Sequence, residues 1–145
     1  MAETETLETR LEQFGTAWNE GDLAILDELV ADEFVGHMIG ESYDLHGDDE
    51  YKGWVEQVQA AFPDLEIAFD PVFVFEDTIC GMWTFVGTNE GDMPNYGIEA
   101  TGAEVEFSGL FIDRFEGGRL VEMWHQVDNL TFMQQLGLVP ELSAA

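Results

Sequence analysis

Residues 103–128 read AEVEFSGLFIDRFEGGRLVEMWHQVD. Two alternating runs flank Glu116–Gly117–Gly118, and alternation on either side of a glycine turn reads as a β-hairpin. Strand side chains alternate between faces, so Val105, Phe107, Gly109, Phe111, Asp113 and Phe115 share one side. Glu104, Glu106, Ser108, Leu110, Ile112 and Arg114 share the other. Both sides are apolar in the middle, and a sheet apolar on both faces needs a cover on each. Helices serve for one. A second copy of the chain is the economical cover for the other, so a homodimer through the outer sheet face is expected.

The rest of the chain supplies the helices first and more strands after them. Leu7, Leu11, Phe14 and Trp18 fall at spacings of four, three and four, which is one face of a helix. Leu23, Leu26, Leu29 and Val30 mark a second, short helix, and residues 35–46 read as irregular. A third helix shows Tyr51, Trp54, Val55, Val58 and Phe62 on one face, has acids in its first turn and stops at Pro63. The period then becomes two through Leu65, Ile67 and Phe69, and VFVFED and TICGMWTFVGT flank a tight turn at Glu76–Asp77. A glycine-rich loop follows, and a last short helix covers about 130–137. The chain is read as one α+β domain, 1–145, with helices packed on one face of a curved sheet.

Charge excludes whole classes of partner. Four Lys+Arg face 31 Asp+Glu, a formal charge of −27, so phosphate-rich partners such as nucleic acid and anionic membrane are ruled out. Disorder is excluded as well, because 11 Phe and 4 Trp supply a core. The composition describes a folded protein with an acidic surface, suited to a halophile's salt-filled cytoplasm, where the screening length shrinks to about 3 Å. The N-terminal MAETETLETR has neither the basic nor the apolar region of a signal peptide, so a cytoplasmic location is expected. The single Cys80 forms no internal disulfide. The three histidines lack any HxH, HxxxH or HxxE spacing, and no G-x-G-x-x-G or P-loop run occurs, so neither metal nor cofactor is expected.

Five segments in order, FGTAWNEGDLAILDELVADEFVGH, DDEYKGWVEQVQAAFPDLEI, MWTFVGT, TGAEVEFSGLFIDRFEGGRLVEMWHQVD and MQQLG, resemble the SnoaL-like polyketide cyclases of the nuclear transport factor 2-like superfamily. The resemblance spans about residues 10–138. It implies a cone-shaped fold, with helices wrapped by a strongly curved sheet around an apolar cavity. It also implies cofactor-free ring closure by intramolecular aldol condensation, on a small apolar carbonyl compound. The family's acid/base aspartate, at the end of the last long strand, matches Asp128. The histidine of its F-V-x-H step matches His37, and its W-H pair matches Trp124 and His125. Two positions depart from the pattern: Met82 stands where many relatives carry a basic residue, and Asn89 where they carry histidine.

The residues themselves offer two readings of Asp128. A carboxylate lifted toward neutrality by an apolar wall can take a proton next to a carbonyl. An aspartate at a strand end can instead cap the helix that follows. In an ideal strand His125 and Asp128 point to opposite faces, so a bulge or a division of roles is required. Trp18, Trp54, Trp83 and Phe111 suit the walls of a pocket for a flat ligand, with Trp124 and Asn89 beside them, or serve simply as core. A non-catalytic module of the same fold, binding a small ligand or a protein, is the alternative function. Epoxide hydrolysis or steroid-type isomerisation would need further Asp, Arg or Tyr groups in the cavity.

Overall fold

The hairpin forms as its alternation requires. A computed structural model describes residues 3–140. Among the described residues the elements are α1 (Glu3–Glu20), α2 (Leu26–Leu29), β1 (Val30–Ile39), β2 (Leu45–His46), α3 (Gly47–Ala61), β3 (Glu66–Phe75), β4 (Thr78–Thr88), β5 (Glu104–Glu116), β6 (Arg119–Val127) and α4 (Asn129–Gln135). They make an α+β fold with one sheet ordered β2-β1-β6-β5-β4-β3. All neighbours are antiparallel except β1 and β6, which run parallel.

The helices sit on one face because their apolar stripes do. Leu7, Leu11, Phe14 and Trp18 of α1 are all buried, and α1 packs on β3. Tyr51 and Val55 of α3 are buried against β1. The strongly curved sheet wraps around this pair, and the odd-numbered residues of β5, with Leu120, Met123 and His125 of β6, point inward between them.

One stretch departs from expectation. Residues 35–46 are not irregular throughout: they include the second half of β1 and all of β2, and the second helix ends at Leu29. Phe34, Gly36 and Met38 are buried in strand alternation, but the pairing of β1 with β6 shifts between Val30 and Val35, and Val30 and Ala31 are both buried side by side. That irregularity breaks the alternation at the start of β1 and hides the strand.

Among the described residues nothing forms a covering layer on the outer face. Register aligns Phe73, Cys80, Ile112, Trp124 and His37 in one row across five strands. Phe73 is 64% exposed, Leu110 60% and Phe75 75%, an apolar strip of the kind that marks an interaction surface.

Gly109 sets the inner floor. A Cβ there would lie 2.3 Å from Trp83 Cζ2 and 2.4 Å from the Gln126 carbonyl oxygen, so the indole rests directly on backbone. Gly109→Ala is expected to cost about 1–3 kcal/mol by overpacking and to displace Trp83. Thermal denaturation and near-ultraviolet circular dichroism would check it; an unchanged tryptophan signal would mean that the floor tolerates a side chain.

Candidate functional site

Between α1, α3 and the sheet lies a cavity of about 170 Å³. A dry space of roughly this size accepts a single aromatic ring. The sequence-derived wall residues Trp18, Trp54, Trp83 and Phe111 all line it. Trp18 and Trp54 meet edge to face at 4.8 Å, and Phe69 meets Phe111 at 5.6 Å. Met93, Pro94, Asn95 and Tyr96 of the glycine-rich loop form part of the rim. Tyr96 Oη and Asn129 Nδ2 both donate to the Glu41 carboxylate, at 3.1 and 3.0 Å, and Asn95 Nδ2 donates to Gln57 Oε1 at 2.6 Å.

His125 enters this cavity from β6. Its ring stacks on Trp83 at 5.4 Å and 9° and meets Trp54 edge to face at 5.0 Å. Burial among these rings pushes its pKa down to about 4, so the imidazole is neutral at physiological pH.

The remaining sequence-derived site residues lie elsewhere, each for a simple reason. Asp128 follows the last residue of β6 and caps α4. Its Oδ1 accepts from the Thr131 backbone N–H at 3.1 Å and its Oδ2 from the Thr131 hydroxyl at 2.7 Å. Those bonds stabilise the carboxylate and hold it below its ordinary range; no apolar wall raises it. His37 and Trp124 are adjacent on the outer face, stacked at 5.2 Å, and His37 Nε2 is 2.8 Å from Glu122 Oε2. Parity decides this: Met38 and His125 point inward, so their chain neighbours His37 and Trp124 point out. Asn89 is fully buried but committed to the loop. It donates to the Gly91 and Ala61 carbonyls and accepts from Thr101 N and Oγ1.

The residue that sequence reasoning passed over is Asp113. It lies on the inner face of β5 between Phe111 and Phe115, only 7% exposed, and it lines the cavity. Its Oδ1 is buried without a hydrogen-bond partner, as is Trp83 Nε1. Desolvation pushes the carboxyl up to about 8, the direction expected for a group in an apolar site with no cation to pair it. Among the described residues no Lys or Arg lines the cavity. Arg114 pairs with Glu116 and Glu122, Arg119 donates to the Asp27 carbonyl, Lys52 contacts the Asp27 carboxylate, and Arg10 donates to Gln13. Register pairs Asp113 with Met123 and Phe111 with His125, so Asp113 and His125 are diagonal neighbours, about 7 Å apart. The signal was present in the hairpin: one carboxyl on a face otherwise made of Val, Phe and Gly.

The SnoaL-like polyketide cyclase family matches residues 8–136, and the chain belongs to that family. TsrD from Streptomyces laurentii superposes with a TM-score of 0.82 at 24% identity, over 93% of this chain and 97% of its own. IdmH from Streptomyces antibioticus, a candidate polyketide cyclase, gives 0.77 at 29% identity, over 90% and 97%. A protein of ketosteroid isomerase-like fold from Catenulispora acidiphila gives 0.75 at 13% identity, over 92% and 96%, and shares the fold. The architecture is therefore the nuclear transport factor 2-like cone. No curated protein matches the chain in sequence.

The raised carboxyl has a stability signature. Its folded-state pKa of about 8 stands above the ordinary 3.8, so folding binds a proton, and this favourable contribution is lost as pH rises from about 4 to about 8. Asp113→Asn removes that loss while leaving the rest of the acidic surface to titrate as before. The stability of the variant relative to wild type, measured by denaturant unfolding in molar salt, is expected to rise across that window. A difference independent of pH would place Asp113 in contact with water.

Proposed function

We propose that the protein is a cyclase-type enzyme doing cofactor-free acid/base chemistry on a neutral, ring-sized carbonyl compound, with Asp113 in the role the resemblance gave to Asp128. The observation that carries this is the Asp113 carboxyl, isolated in an aromatic cavity and raised to about 8 by burial. A base works best with a pKa near the operating pH, and a desolvated carboxylate is a stronger base than a solvated one. The ionised Asp113 takes a proton from the carbon next to a carbonyl, giving an enolate and the carboxylic acid. The enolate carbon then attacks a second carbonyl of the same molecule; a C–C bond forms and that carbonyl's π electrons become an alkoxide. The alkoxide recovers the proton from Asp113, which restores the carboxylate. In this reading neutral His125, which lines the same cavity from the next strand, donates a hydrogen bond to the second carbonyl, as an imidazole kept uncharged by its site can do.

Proton abstraction can be read without the native substrate. Acetophenone, a single ring bearing one carbonyl, is expected to exchange its methyl protons for deuterium in D₂O faster with the protein than in buffer. The rate should rise with pH up to about 8 and then level. Asp113→Asn should lose about 10²–10⁴-fold, the range for removing a general base. Asp128→Asn should change nothing. Exchange no faster than in buffer, with acetophenone bound, would leave the non-catalytic ligand-binding module as the function.

We also propose that a second copy covers the outer face, since the row from Phe73 to Trp124 is apolar and uncovered among the described residues. Sedimentation in molar salt is expected to give a dimer. The double substitution Phe73→Asp, Ile112→Asp should give a monomer. A monomeric wild type would reject the dimer.

A further inference from the structure

Tyr51 belongs to α3 and lines the same cavity as Asp113. Four edge-to-face contacts fix its ring, with Phe14, Trp18, Phe34 and Trp54 at 5.7, 6.4, 5.5 and 5.4 Å. Trp18 Nε1 donates to its hydroxyl at 3.1 Å. A phenol that accepts from an indole still has one proton to give, and that proton must point away from the donor. Among the described residues the Trp18 bond is the hydrogen bond Tyr51 makes, so its O–H has no acceptor in the protein. Burial and the nearby Asp113 carboxylate both disfavour phenolate, so the group stays a donor.

We propose that the Tyr51 hydroxyl is a catalytic donor to the oxygen of the substrate carbonyl whose neighbouring carbon faces Asp113, and that Trp18 is the residue that positions it. The inference rests on the assignment of Asp113 above. Phe14 links the two groups, since its ring touches both Tyr51 and Phe115, and Phe115 follows Asp113 on the inner face of β5. As the proton leaves carbon, charge grows on that oxygen. A fixed donor in a dry site strengthens its bond at that moment, and nothing has to reorganise. The positioning bond is also what directs the hydroxyl: without the Trp18 N–H, the phenolic proton is free to rotate away from the cavity.

The test reads binding first and turnover second. Acetophenone labelled with ¹³C at its carbonyl is titrated into the protein. On binding, the carbonyl resonance is expected to move downfield, as it does when the oxygen accepts a hydrogen bond. Tyr51→Phe should abolish that shift and weaken binding about tenfold. Trp18→Phe keeps a ring in place but removes the N–H; it should reduce the shift with little change in affinity and lower kcat for deuterium exchange more than it raises KM. Should Tyr51→Phe fail to fold, Trp18→Phe carries the test alone. A shift unaltered by either substitution, or no shift on saturation, overturns the donor role. A shift abolished in Tyr51→Phe alongside undiminished exchange in Asp113→Asn would uphold the donor and reject the base, so the two assignments fail separately.

Discussion

The register of β5 between β4 and β6 decides what this protein can be. Pairing with β4 runs without a break from Thr78↔Arg114 to Thr88↔Glu104. Because side chains alternate, a slip of one residue would move every inward group outward. Asp113 would leave the cavity, and its outward-facing neighbour Ile112 or Arg114 would enter it. The aromatic content of the inner face holds the register, since Phe107, Phe111 and Phe115 must all be buried together. Gly109 interrupts this series where the Trp83 indole needs the space, and the same indole then stacks on His125.

How far the sequence revealed this depends on how local each signal was. The faces of α1 and α3 and the last hairpin were legible, because their periods are regular over many residues. The strand β1 was not, because its pairing shift breaks the alternation at Val30 and Ala31, and its central partner β6 lies far along the chain. The pocket walls Trp18, Trp54, Trp83 and Phe111 were legible as inward aromatics. For the polar groups the residues leave two readings of Asp128 open, a poised base and a helix cap, and the geometry is that of the cap: the next helix supplies two hydrogen bonds and lowers the pKa. The carboxyl with the required environment was at Asp113, in view on an apolar face but read only as part of the alternation. His37 was placed by resemblance to a step in the chain, whereas parity sends it to the outer face beside Trp124.

The extreme charge bears on the site as well as on the surface. With 31 acids and four cations, the chain has little to neutralise a buried carboxylate, and each cation is engaged away from the cavity. An anionic ligand would meet a negative potential outside and no counter-ion within. A neutral one meets neither obstacle, and its apolar surface gains by leaving water. The composition thus favours an uncharged ligand in the cavity.

The same reasoning weighs the enzyme against a passive pocket. A cavity that only had to hold an apolar ring would be more stable with leucine in place of Asp113, because a buried polar group without a partner carries its full desolvation penalty. Structural carboxyls in this protein are treated differently: Asp64 and Asp128 each accept from a backbone N–H and a hydroxyl. Asp113 alone among these three is buried with an oxygen that has no partner, in the cavity that Tyr51 also lines with a proton unclaimed among the described residues. Two unfulfilled hydrogen-bonding groups facing one ring-sized space raise the energy of the empty protein. A ligand oxygen and an acidic C–H relieve both, and the relief is greatest when that proton is in transit.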